Sequence, residues 1–347
     1  MTHFEAAVRE DFEASRGHPQ FEVWLDYALS ANARGTALLD ALGPSLPELR
    51  GARHLDIGCG YGGACVAAAR RGADSTGIDI DERLLRFAAA NRADHPSFAL
   101  RFVHGNLLDP AQLESLGTFD FVTCDNVIEH VVAPPVLVAH FRRLLRPGGK
   151  LFVTIPNAFS TAQIRKDCHY GQFGVSLLDP IDGAAFMEEV LGNRSYDVSD
   201  YHPFELYEAM FKRHGLVATL LHAPDGSGFD AAVADARRLS GELEAATVPA
   251  SLRPKVARRL SVHLAQLEAD VHRAQALGPI EGAALRAELV RDHACELWMV
   301  LAIREEDAGL PLRRAAPQLM DGPERLVQVA RRLGRAVKRR LPGLPKG

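Results

Sequence analysis

The stretch "HLDIGCGYGG", His54 to Gly63, sets Gly58, Gly60, Gly62 and Gly63 behind the carboxylate of Asp56. Gly58, Gly60 and Gly63 satisfy G-x-G-x-x-G, a spacing that lets a strand turn sharply into a helix while a ligand touches bare backbone. A tight turn without a ligand would need the same glycines, so a second feature must decide. Asp79, closing the β-like run "STGIDI", supplies it, because a carboxylate about 20 residues past such a loop can accept hydrogen bonds from both hydroxyls of a ribose. Together they predict a ligand carrying adenosine, either a dinucleotide or another adenosyl compound. Asp56 weighs against the dinucleotide, since its charge would crowd a pyrophosphate and suit an ammonium group.

Positioning such a loop takes a sheet. From residue 52 short β-like runs alternate with helical patterns: "RHLDI", Ala64 to Arg71, "STGIDI", Glu82 to Asn91, "ALRFVHG", "FDFVTCD", Pro134 to Leu145 and "GGKLFVTIP". This alternation predicts an α/β fold with a parallel sheet covered on both faces. Upstream, residues 4–45 read as helices, with Trp24, Tyr27, Ala28, Ala31, Leu38 and Leu39 at roughly helical intervals. Residues 157–201 break the rhythm with "IRKDCHYGQFGVSLLDP", an excursion of a length that is usually functional. "FELYEAMFKRHG" and "LVATLLHAP" restore the alternation. A polar helical segment then runs from about Phe229 to Asp292, and "CELWMVLAIRE" follows as a closing strand or a buried helix.

Composition sets outer bounds. The chain has 347 residues, 47% hydrophobic and 24% charged, which suits a folded globular protein of one large decorated domain or two smaller ones. The longest apolar run, Leu297 to Ile303, falls short of the about 20 residues a bilayer span needs. An acidic start, "MTHFEAAVREDFEASR", is unlike a secretory leader. Cys59, Cys65, Cys124, Cys168 and Cys295 are scattered and form no Cys-x-x-Cys pair, so neither a disulfide framework nor a zinc site is expected, and a reducing cytoplasm fits. The net charge of −4 is uneven: residues 322–347 carry eight Lys/Arg against one Glu, a net of +7 that leaves −11 for the rest. Such an acidic body disfavours nucleic acid.

The order "LDIGCGYGG", "GIDI", "GNLLD", "FDFVTCDNVIEHV", "LLRPGGKLFVTIPN" and a late helix ending in "HGL" resembles class I S-adenosylmethionine-dependent methyltransferases over residues 52 to about 222. "DNVIEHV" is similar to the corresponding loop of ubiquinone-type O-methyltransferases. The glycine loop followed by the "HYGQFG" excursion is similar to methyltransferases of bacterial polysaccharide gene clusters. The resemblance implies a Rossmann-like seven-stranded sheet with helices on both faces, N-terminal helices (1–50) and a core of 51–225 plus 293–306. Within this scheme 157–201 is a substrate lid, 226–292 a helical insertion before the last strand, and 307–347 a basic tail.

The same resemblance implies S-adenosyl-L-methionine as cofactor, with Asp56, Gly58, Cys59, Gly60 and Gly62 under its methionyl part. It also places Asp79 on the ribose, Ile80 and Asn106 at the adenine, and Asp125 beside the sulfonium. An Asp often stands where Asn106 does. Asn126 replaces an acid at a position where some relatives gather carboxylates for a metal, so no metal is expected there. Glu129 and His130 either cap the following segment or meet cofactor or substrate.

Methyl transfer needs an aligned acceptor, and a hydroxyl acceptor gains from a base, for which histidine suits neutral pH. His169, His202 and His130 are the candidates, with His169 first. Tyr170, Gln172 and Phe173 could line the acceptor site. The expected reaction is O-methylation of a sugar, glycan or related metabolite. The alternatives are N-, C- or aromatic O-methylation of a small molecule, a noncatalytic adenosyl-ligand scaffold, or NAD-dependent oxidoreduction. Leu326, Val329, Ala330, Leu333 and Val337 share one face of a basic helical pattern, which predicts peripheral contact with an anionic membrane at its inner face, or a solvated tail.

Overall fold

The computed structural model describes residues 1–17, 21–192 and 196–309. The basic tail beyond residue 309, and the membrane contact expected of it, lie outside the described residues. No described helix is long and apolar enough to cross a membrane. The chain divides into two compact units, one built from Met1–Ile155, Glu208–Leu221 and the segment from Met299, the other from Pro156–Tyr207 and His222–Trp298.

The first unit holds the sheet. Its strands are β1 (Arg53–Ile57), β2 (Asp74–Asp79), β3 (Leu100–His104), β4 (Phe119–Asp125), β5 (Leu145–Pro156), β6 (Leu216–Leu220) and β7 (Leu297–Arg304), in the order β3-β2-β1-β4-β5-β7-β6. β1 pairs parallel with both β2 and β4, whereas β6 and β7 run antiparallel. The run "LWMVLAI" is therefore the closing strand, not a buried helix. Crossover helices α4 (Gly63–Arg70), α5 (Glu82–Ala93), α6 (Pro110–Leu116) and α7 (Pro134–Leu144) link the parallel strands. Leu55, Ile57, Ile78, Phe121 and Val122 are buried, as strands covered on both faces require. Strand order reverses between β1 and β4, and ligands of such sheets bind beyond the carboxyl ends of the strands at that reversal.

The N-terminal helices α1 (His3–Phe12), α2 (Phe21–Leu29) and α3 (Ala31–Leu42) belong to this unit. Thr2 and Glu5 close a reciprocal capping box on α1, which buries Phe4, Val8 and Phe12. Asp94, after α5, accepts the N–H groups of His3 and Phe4 at 2.8 and 2.9 Å. α3 lies directly on α4: a Cβ on Gly35 would overlap the backbone of Gly63, and one on Gly63 would overlap the carbonyl of Ala31. Gly63 thus serves helix packing.

The second unit is helical, with α8 (Thr161–Arg165), α9 (Pro180–Leu191), α10 (Phe204–Arg213, shared with the first unit), α11 (Phe229–Ala245), α12 (Arg253–Ala276), α13 (Gly278–Glu281) and α14 (Ala283–His293). The sequence suggested a lid over 157–201 and a separate insertion over 226–292. In the structure the two share one core, where Ile164, Phe173, Val175 and Phe186 pack with Leu239, Val248, Val256 and Leu260. Asn157, fully buried, fastens the entry to this unit by donating its amide to the carbonyls of Asp292 and Cys295 at 2.8 and 2.9 Å.

Candidate functional site

The loop between β1 and α4 is tied down from below. The N–H groups of Gly58 and Cys59 both donate to the carbonyl of Ile78, at 2.9 and 3.1 Å, and that of Gly62 donates to Cys59 at 2.8 Å. Asp79 takes the next amide itself, its Oδ2 accepting from Gly60 at 2.8 Å while its Oδ1 accepts from Asp81 at 3.0 Å. This second duty of Asp79, pinning the loop, was not foreseen from the sequence. It also changes what the loop offers. With those four amides committed to protein acceptors, the loop is a poor cradle for phosphate, which would need them free.

What remains exposed is glycine backbone. Gly60 has φ +52° and nothing within 4 Å of where a Cβ would stand, so it needs glycine for its conformation and leaves room above itself. Cys59 points its thiol into the core beside Cys65, Val66 and Ala69 and contributes only main chain. Ile80, next to Asp79, is 69% exposed, an apolar surface unlike the buried isoleucines of the sheet. Asn106 is exposed, and its Oδ1 accepts the N–H of Leu108 at 2.9 Å, which makes it a turn residue.

Around this loop carboxyl groups gather. Asp56 is buried beneath it, accepting the Thr123 hydroxyl at 2.7 Å, and burial, reinforced by Asp125 and Asp79, pushes its pKa up to about 7. His54 is buried beside it, hydrogen-bonded to Thr123 at 2.8 Å and to Ser75 at 2.8 Å, and burial alone lowers its pKa to about 3, so it stays neutral. Asp125 ends β4 and is also raised by burial, opposed by the Thr154 hydroxyl and by the charge of Arg34.

Two residues here take on more than the sequence showed: Asn126, read there only as a replaced acid, and Arg34, not read at all. Asn126 holds φ +53°, alone among the described non-glycine residues in the left-handed region. It is fixed by its N–H to Thr154 Oγ1 at 3.0 Å and its side-chain amide to Asp125 at 2.9 Å. Its own Oδ1 is buried without a hydrogen-bond partner, as an acceptor awaiting a ligand donor would be. Arg34 comes from α3, stacks its guanidinium 3.6 Å from the centre of the Tyr27 ring, and is lowered to about 10 by burial, so it keeps its charge. Its arrival near Asp125 left no local periodicity to read.

The candidate bases fall in different surroundings. His130, in the first unit, lies with its Nε2 3.7 Å from Glu129 Oε1, and Glu129 is fully buried. His169 and His202 belong to the second unit. His169 is 6% exposed, with Nδ1 2.9 Å from the Tyr201 hydroxyl. His202 is half-buried, edge-on to Tyr207, and its pKa is lowered chiefly by burial. Of the expected acceptor-lining residues, Tyr170 and Phe173 are buried in the unit's core.

Residues 55–153 match the family described as a methyltransferase domain. A ubiquinone biosynthesis O-methyltransferase of Xanthomonas oryzae pv. oryzae is 38% identical over 121 residues, 34% of this chain and 50% of that protein. The enzyme of the same name from Paracidovorax citrulli is 40% identical over 121 residues, 34% of this chain and 48% of its own length. The chain therefore spans about half the length of the curated relatives it matches. Among solved structures, an S-adenosylmethionine-dependent methyltransferase from Mesorhizobium loti superposes with a TM-score of 0.41 at 21% identity, over 60% of this chain and 92% of the other. The matched residues carry the glycine loop, Asp79, Asp125 and the β1–β4 reversal: this segment is a class I S-adenosylmethionine-dependent methyltransferase domain.

Proposed function

We propose that the protein transfers the methyl group of S-adenosylmethionine to a hydroxyl of a sugar, glycan or related metabolite. The observation that carries the donor half is electrostatic: four amides of the glycine loop are spent on protein acceptors, while the carboxyl groups of Asp56, Asp79 and Asp125 gather beside it. A pyrophosphate is repelled by such a site. A ligand with an ammonium and a sulfonium is attracted. In this reading Asp79 takes the ribose hydroxyls, Ile80 the adenine face with Asn106 at its edge, Asp56 and the backbone of Gly58, Cys59, Gly60 and Gly62 the methionyl end, and Asp125 the neighbourhood of the sulfonium.

Transfer is an in-line displacement in which the acceptor oxygen forms a bond to the methyl carbon as the carbon–sulfur bond breaks. The bonding pair stays on sulfur, giving S-adenosylhomocysteine, and the hydroxyl proton passes to a base. Alignment of the three atoms is worth about 7–11 kcal/mol and a base a further about 10²–10⁴-fold. Of His169, His202 and His130, His202 is half-buried with its pKa lowered chiefly by burial, so its imidazole is uncharged at neutral pH while part of it stays accessible. The hydroxyl of an aromatic ring is the second reading, supported by the curated relatives, which are ubiquinone O-methyltransferases. The basic helical pattern of residues 322–347 supports contact with anionic lipid, which would suit a lipid-linked acceptor.

Calorimetry of the full chain with S-adenosylmethionine and with NAD tests the donor, and heat with NAD alone overturns it. Labelled methyl donor supplied with fractionated extracts, read by mass spectrometry, tests the acceptor. Donor binding without release of S-adenosylhomocysteine from any fraction would leave a noncatalytic scaffold. His202→Ala is expected to reduce kcat by about 10²-fold or more and spare donor affinity.

A further inference from the structure

The loop that follows α8 places three kinds of metal-binding side chain on consecutive residues. Asp167, Cys168 and His169 are all buried, at 1%, 4% and 6% exposure. Their backbone is held rigidly: the N–H of Asp167 donates to Gln172 at 3.2 Å, and that of Gly171 returns to Asp167 at 2.9 Å. Asp167 Oδ1 accepts the N–H groups of His169 and Tyr170 at 3.0 and 2.7 Å, and Gln163 Oε1 accepts that of Cys168 at 2.8 Å.

This turn brings the donor atoms together. Cys168 Sγ lies 3.2 Å and Asp167 Oδ2 3.7 Å from His169 Nδ1, and all three atoms fall within 4.8 Å of one another. Ligands around a tetrahedral zinc ion, with bonds of about 2.0–2.3 Å, stand about 3.3–3.6 Å apart. The Tyr201 hydroxyl, 2.9 Å from the same nitrogen, occupies a further side.

Asp167 Oδ2 points to a ligand independently of this spacing. It is buried and accepts no hydrogen bond, although Oδ1 of the same carboxylate accepts two. A carboxylate oxygen removed from water and left without a donor opposes folding, and a cation beside it removes that penalty. We propose that Asp167 Oδ2, Cys168 Sγ and His169 Nδ1 bind one divalent cation of the zinc class. Carboxylate, thiolate and imidazole in one site select a borderline metal over magnesium or calcium, which prefer all-oxygen shells. On binding, the Cys168 thiol gives its proton to buffer and the sulfur–metal bond forms; no electron is transferred. His169 then carries its proton on Nε2 and is a positioning residue, which moves the search for a base to His202 and His130.

Cobalt(II) titrated into chelator-stripped, full-length protein provides the test, and it needs no turnover, so its outcome is independent of the methyl-transfer reading. One equivalent is expected to produce sulfur-to-cobalt charge-transfer absorption and intensified d–d bands, both abolished by zinc. Cys168→Ser should remove the charge-transfer band, and Cys295→Ser, in the same unit, should leave it. Asp167→Asn retains an oxygen to accept the two amides, so the loop stays closed while cobalt affinity falls about tenfold or more. No charge-transfer band in the wild-type protein overturns the proposal. So does a band that survives Cys168→Ser, or, should that variant fail to fold, undiminished cobalt affinity in Asp167→Asn.

Discussion

The two units of this chain carry chemistry in opposite ways. In the first, functional groups sit on main-chain turns fixed by their nearest strands: Asp79 bonds to Gly60, 19 residues before it, and Asp56 to Thr123 on the adjoining strand. In the second, they sit on a helical assembly whose core joins residues that are remote in sequence, Phe173 and Phe186 with Val248 and Val256. The family match ends at residue 153, just before the second unit begins at Pro156. A fixed cosubstrate holds one set of residues to type and spacing. The second unit's residues are constrained chiefly by packing, which many sequences satisfy.

The most forceful way to break this contrast is to damage the second unit's core. Phe186 is fully buried there, and Phe186→Ala is expected to cost about 3–5 kcal/mol in chemical denaturation. Donor affinity, measured by calorimetry under native conditions, should stay within about twofold, because no group bonded to the glycine loop is touched. A large loss of donor binding would mean that the two halves cannot be discussed apart.

Asp79→Ala attacks the other side. It removes the ribose acceptor and frees the Gly60 amide together, and at about 1.5–3 kcal/mol per charged hydrogen bond the dissociation constant should rise about 100-fold or more. Asp79→Asn separates the duties, since an amide oxygen can still accept from Gly60. Should Asp79→Ala bind the donor normally, the ribose assignment falls.

How far this contrast could be read in the sequence follows from the distances involved. The alternation of strands and helices, the glycine turn and Asp79 all depend on neighbours within one βαβ unit, whereas the closing run read as either a strand or a buried helix. Arg34 acts on Asp125 across 91 positions, and Arg165 bonds to Glu242 across 77, so neither leaves a local pattern. Asn126 reads as a missing acid; only its left-handed backbone and unpartnered Oδ1 mark it. That four loop amides go to protein acceptors could not be read from G-x-G-x-x-G, because Ile78 and Asp79, which accept three of them, lie on the next strand.

Buried carboxylates in the first unit make a pH test of smaller amplitude. Asp56 rises from an ordinary 3.8 to about 7 on folding, so the folded protein holds an extra proton between those values. Stability contributed through this group therefore falls as pH rises across the interval. If Asp56 meets the donor's ammonium as proposed, binding requires its ionised form, so affinity should climb with pH to about 7 and then flatten, dropping at most about tenfold per unit below it. Proton release, read by calorimetry in two buffers of different ionisation enthalpy, checks the sign. Affinity independent of pH in this range would remove Asp56 from the ammonium.

The smallest effect is expected where the structure shows the most conspicuous ion pairs. Arg165 spans the two segments of the second unit, its Nε 2.6 Å from Glu242 and its Nη2 3.2 Å from Asp235, and these partners hold its pKa above the ordinary value. All three side chains are about a third exposed, at 35%, 34% and 34%, so water and salt screen the attraction and ordering the long arginine offsets part of it. Arg165→Ala should therefore cost about 1 kcal/mol or less, well below Phe186→Ala, and the difference should shrink further in high salt. Equal destabilisation by the two substitutions would show that charge, not the shared apolar core, joins residues 157–201 to 226–292, and the packing argument for this unit would have to be withdrawn.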